Sequence, residues 1–106
     1  MDEPPNRMYS YDSDFYRYIN KGSGISARLV VPHIQRLIPD PIGSVLDVGC
    51  GVGAWLEVWA STGCDIIGVD GPYVEEDSLL IAAEKFQPRN LNDGFDLGRK
   101  FDLAQC

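Results

Sequence analysis

VLDVGCGVGAW, Val45 to Trp55, decides how the rest of this 106-residue chain is read. A short apolar strand carries an acid near its end, Asp47, and then breaks into glycines at Gly49, Gly51 and Gly53. A helical pattern starts at once. In a parallel α/β domain that order of events delivers bare backbone and a helix N-terminus to a nucleoside-containing cofactor. Side chains at the three glycine positions would obstruct a tight turn and hold a ligand off the backbone. A helix starting near Ala54 adds unpaired N–H groups and a partial positive charge.

Outward from this run the texture alternates strand and helix. Ser44–Val48 reads as a first strand and Ala54–Ser61 as a crossover helix ended by Gly63. Asp65–Val69 is a second strand, closed by Asp70 and Gly71. Glu75–Lys85 has a helical spacing with Leu79, Leu80 and Ala83 inward. Phe86–Leu91 and Phe101–Cys106 complete the set as third and fourth strands. Short apolar strands separated by helical segments argue for right-handed βαβ units and a parallel sheet. Pro88 places the third strand at a sheet edge, because proline cannot donate to a central ladder.

Upstream, residues 1–10 form an acidic arm with Pro4-Pro5 and no periodicity, and residues 11–41 are expected to be helical. Ser13 suits a cap for a short helix in which Tyr11, Phe15, Tyr18 and Ile19 share a face. Asn20–Gly24 is turn chemistry. A second helix then follows from Ser26, with Ala27, Val30, Val31, Ile34, Leu37 and Ile38 as its buried stripe. Pro32 either kinks that helix or begins a new one, and Pro39-Asp40-Pro41 stops it. Trp55 and Trp59, four apart, read as one helix face on the sheet. Arg28 and His33 read as helix-surface residues.

Composition narrows the function classes. The length fits one domain, and 44% apolar residues is ordinary for a globular chain. A formal charge of −7 without any basic cluster leaves no nucleic-acid footprint. Cys50, Cys64 and Cys106 have neither paired spacing nor an even count, so no disulfide framework or zinc site is indicated. His33 is the single histidine, which removes most metal and triad chemistries. No apolar run is long enough to cross a membrane, and MDEPPNR is no signal peptide; a cytoplasmic location is the expectation.

Two acids give the glycine loop its sign. Asp70 ends the second strand, where a carboxylate accepts both hydroxyls of a ribose. Asp47 lies inside an apolar strand, where a carboxylate is costly unless paired. An acid beside the loop suits a ligand carrying positive charge and is unhelpful to a pyrophosphate. Gly49, Gly51 and Ala54 also satisfy a dinucleotide pattern, so an NAD-type half-domain stands as the alternative. As D-x-G-x-G-x-G, however, the run resembles motif I of the class I S-adenosylmethionine-dependent methyltransferases.

That resemblance covers the chain from about Tyr11 to Cys106. It implies a Rossmann-like three-layer α/β/α fold with strand order 3-2-1-4 over residues 42–106, cut after its fourth strand. It also implies S-adenosylmethionine as cofactor. Gly49 and Gly51 would lie against its methionine part, with Cys50 and Gly53 in the same loop. Asp47 would hold the amino end and Asp70 the ribose, followed by Gly71. Asn90 and Leu91 fall where the family contacts adenine; Asn90 departs from the usual acid, retains an acceptor, and is equally an ordinary turn residue. Tyr9, Tyr11, Phe15, Tyr16 and Tyr18 resemble the N-terminal segment that covers the cofactor, or are a docked aromatic face. No catalytic residue or metal ligand is assigned, and the methyl acceptor is unidentified. Because acceptor contacts in the family come largely after the fourth strand, the chain is expected to be a fragment with little activity alone. Its open fourth-strand edge is an expected site of self-association. A non-catalytic cofactor-binding or protein-interaction module is the remaining alternative.

Overall fold

The computed structural model describes residues 13–106, with side chains from residue 21 onward. The N-terminal arm and the side chains of Tyr9, Tyr11, Phe15, Tyr16 and Tyr18 therefore lie outside the described residues. Among the described residues two α-helices, α1 (Ser13–Leu37) and α2 (Ala54–Ser61), accompany four strands. The strands are β1 (Ser44–Val48), β2 (Asp65–Asp70), β3 (Phe86–Pro88) and β4 (Leu103–Gln105).

All strand pairs are parallel, in the order β3-β2-β1-β4. Register pairs Val45 with Ile66 and with Leu103, and Asp47 with Gly68 and with Gln105. Val45, Asp47, Ile66, Gly68 and Asp70 thus share one face, and α2 packs on it. Ala27 and Val31 of α1, Val45, Leu56, Trp59 and Ile66 form the buried core there. Trp59 is fully buried, and truncating such an indole to alanine costs about 3–5 kcal/mol. Trp55 packs at its margin, so the paired tryptophans do share the helix face read from their spacing.

β1 and α2 have the bounds expected of them. Helix α2 ends as Thr62 and Gly63 donate their N–H groups to Trp59 and Ala60, with Gly63 at φ 92°. β3 takes the edge position that Pro88 requires, and stops there, short of Leu91.

Two expectations are corrected. The helices expected on either side of Asn20–Gly24 are one continuous helix, with Pro32 inside it. Glycine costs a helix about 1 kcal/mol relative to alanine but places no steric stop in it. Proline removes a single backbone bond, and fully buried Ala27 and Val31 hold the surrounding turns against α2. In place of a helix over Glu75–Lys85 there are two one-turn 3₁₀ segments, Glu76–Ser78 and Ala83–Lys85. Between them the chain bends at Leu80 and Ile81, where Leu80 donates its N–H to the Val52 carbonyl at 2.8 Å and Ile81 packs on the glycine loop. Ile81, rather than Leu80 or Ala83, is the inward residue.

The N-terminal end of the sheet is tied by polar contacts. Asp65 accepts from Lys85 at 2.9 Å and Arg99 at 2.8 Å, and the Arg99 guanidinium lies 4.2 Å from the Phe101 ring centre. Gly43 donates its N–H to Asp102 at 2.7 Å, and Asp102 donates its own to Ser44 at 2.9 Å. Among the described residues no helix is long and apolar enough to cross a membrane.

Candidate functional site

At the C-terminal end of the sheet, Gly49 and Cys50 both donate their N–H groups to the Val69 carbonyl, at 2.7 and 3.2 Å. The loop therefore continues the β1–β2 pairing before it turns into α2. Its three glycines have positive φ: 80° at Gly49, 57° at Gly51 and 92° at Gly53. Side chains would be strained at each, but the surroundings differ. A Cβ on Gly49 or Gly51 would point into open space, whereas one on Gly53 would come within 3.0–3.2 Å of Ile81. Gly49 and Gly51 offer bare backbone outward. Gly53 makes room for protein.

Cys50 turns inward. Its sulfur lies over Gly68, where an added Cβ would sit 2.6 Å from it and 2.8 Å from Leu56 Cδ1. Burial, with the charges of Asp47 and Asp70, pushes its thiol up to about 12. Such a thiol is not a nucleophile at neutral pH. Cys50 shapes the loop from within, packed against Gly68, and does not share the open side of Gly49 and Gly51.

The two acids are both buried, each 6% exposed. Asp47 lies on β1 in register with Gln105 of β4, at the point where the strand order reverses and ligands of open α/β sheets bind. Burial pushes its carboxyl up to about 6, a hydrogen bond from Gln105 opposes that rise, and repulsion by Asp70 adds to it. Trp59 Nε1 donates to Gln105 Oε1 at 3.2 Å, which leaves the amide nitrogen to face Asp47. Gln105 was not singled out in the sequence; the pairing of a polar residue opposite Asp47 becomes visible only with the β1–β4 register.

Asp70 is held by three donors. Gly51 N–H reaches Oδ2 at 2.7 Å, while Gly71 N–H and the Tyr73 hydroxyl reach Oδ1 at 2.7 and 2.6 Å. One carboxylate thus braces the glycine loop against the end of β2. Tyr73 also escaped the sequence reading, although Gly71-Pro72 immediately after the acid signals a turn back toward it. Asn90 and Leu91 lie at the exposed rim, just beyond Arg89, whose N–H donates to the Asp70 carbonyl at 2.9 Å. Asn90 Oδ1 accepts from the Asn92 N–H at 3.0 Å in a turn, so its acceptor faces its own loop.

Asp47, Gly49, Gly51, Asp70 and Gly71 are therefore gathered at one end of the sheet, with Cys50 and Gly53 beneath them. Arg28 is exposed on α1, as is His33, which accepts from Arg36 at 2.7 Å. Among the described residues no cluster of His, Cys, Asp and Glu is placed to hold a metal ion.

A family model described as a methyltransferase domain matches residues 23–106. The chain belongs to the methyltransferase domain family. This methyltransferase domain is similar in fold to CalS10, an amino pentose methyltransferase from Micromonospora echinaspora involved in calicheamicin biosynthesis, solved with S-adenosylmethionine bound. The identity is 24% and the TM-score 0.64, over all of this chain and 44% of that one. The domain thus spans less than half of the solved protein. A search of curated proteins found no match.

Proposed function

We propose that this methyltransferase domain binds S-adenosylmethionine and forms the cofactor-binding half of a methyltransferase. One observation carries the reading: two buried carboxylates flank a loop whose Gly49 and Gly51 face open space. Bare backbone there accommodates the methionine part of the cofactor without obstruction. Among the described residues no cationic side chain pairs with buried Asp47, so an ammonium group is the complement to its charge. Asp70 stands at the end of β2, where its oxygens accept from a ribose.

Bound S-adenosylmethionine supplies a methyl group activated by its sulfonium charge. The chain's own residues bind and orient it: Asp47 holds the amino end, Gln105 fixes Asp47, and Asp70 holds the ribose and the loop together. Orientation is the main contribution an enzyme makes to such a transfer. A dinucleotide is disfavoured by Asp47, a buried acid beside the glycine loop where a pyrophosphate would lie. Equilibrium binding of S-adenosylhomocysteine tests the assignment. Asp70→Asn is expected to weaken it at least about tenfold, since hydrogen bonds to a charged group contribute about 1.5–3 kcal/mol. Undiminished affinity in that variant would contradict the assignment.

A further inference from the structure

Immediately after Asp70 the chain bends, with Val74 donating its N–H to the Gly71 carbonyl at 3.2 Å. Pro72 occupies the second position of this turn, which suits its fixed φ. The turn carries Tyr73 back over Gly71, where an added Cβ would overlap the Tyr73 ring. The phenol then donates to Asp70 Oδ1 at 2.6 Å. That oxygen already accepts the Gly71 N–H, and Oδ2 accepts the Gly51 N–H.

A carboxylate offers about four lone-pair places. Among the described residues three donors leave one, and a ribose brings two adjacent hydroxyls. The Gly51 and Gly71 N–H groups are fixed in the loop and the turn, so the side-chain phenol is the donor able to leave. Tyr73 is 70% exposed, so swinging it outward uncovers little apolar surface. Swinging outward gives up the charge-assisted hydrogen bond to Asp70, of the kind a ribose hydroxyl replaces.

We propose that Tyr73 is a latch on the ribose site: its hydroxyl stands in for a cofactor hydroxyl on Asp70 and must be exchanged for it when ligand binds. The proposal rests on the assignment of Asp70 to the ribose. A latch of this kind reduces apparent affinity by the fraction of molecules in which it is open. With about one molecule in ten open, removing the hydroxyl tightens binding about tenfold.

The test is calorimetric titration of the full chain with S-adenosylhomocysteine, comparing wild type with Tyr73→Phe after circular dichroism has matched their folds. Tyr73→Phe is expected to bind about tenfold more tightly. Equal or weaker binding overturns the latch while leaving the ribose assignment standing. Binding by neither protein overturns that assignment and the latch with it. In wild type carrying carbon-labelled tyrosine, the resonance missing from Tyr73→Phe is expected to shift on saturation with ligand. A resonance that stays in place under saturation also overturns the latch.

Discussion

Asp47 carries an energetic cost in the ligand-free chain. A shift of its carboxyl from 3.8 to about 6 corresponds to about 3 kcal/mol at neutral pH. The unfolded chain ionises this group near its ordinary value, whereas the fold resists ionisation. Stability from this residue is therefore lost as pH rises from about 4 to about 6, and the full cost is present above that window. Asp47→Asn is expected to stabilise the ligand-free chain by about 2–3 kcal/mol at pH near 7.5, measured by urea unfolding. Its advantage should disappear below about pH 4, and a constant difference across the range would contradict the stated cause. The same substitution removes a charge on which the ammonium group depends, so ligand affinity should fall. Wild-type affinity should decline likewise as pH drops through about 6 and Asp47 takes up a proton. Asp47 was legible in the sequence because a carboxylate in an apolar strand stands out. Gln105 and Tyr73 were not, since each becomes meaningful only through a partner fixed by sheet register or by a turn.

At the scale of elements, the glycines divide by what surrounds them. Gly68→Ala brings a methyl group to 2.6 Å from Cys50 Sγ and 2.8 Å from Leu56 Cδ1. It is expected to destabilise by about 1–3 kcal/mol, read from the thermal midpoint or urea unfolding. Gly51→Ala meets no atom within 4 Å, yet must keep φ 57°. Its folding cost should stay near 1–2 kcal/mol, roughly the price of a left-handed alanine, while ligand affinity falls as the methyl group fills the open side. Equal effects on folding and binding at the two positions would contradict this division. The β-α-β core around the loop was legible because strand bounds, glycine positions and the two acids all agree with one another. Residues 75–85 were not. Their apolar residues fit a helix by spacing, but Leu80 and Ile81 are drawn onto the loop by contacts distant in sequence. Helix α1 misled in the opposite direction, since its glycines imply a break that buried Ala27 and Val31 do not require.

Across the whole molecule the two ends of the sheet have opposite electrostatic character. At the N-terminal end Asp65 is paired with Lys85 and Arg99, which hold its carboxyl down at about 2. That contribution is present above the ordinary carboxylate range and is lost as pH falls from about 4 toward 2. Because all three side chains are more than a third exposed, solvent screening keeps each pair below about 1 kcal/mol. Asp65→Asn should therefore cause a small loss of stability that shrinks further in high salt; a large, salt-independent loss would contradict the screened geometry. At the C-terminal end two buried acids flank open backbone, so the acid at one end is paired with cations on the surface while those at the other are buried beside the glycine loop. These acids and glycines are expected to select S-adenosylmethionine over a dinucleotide. Parallel calorimetric titrations of the chain with S-adenosylhomocysteine and with NAD measure that selectivity. Saturable heat with S-adenosylhomocysteine and none with NAD is the expected result. Binding of NAD, or of neither ligand, would contradict it.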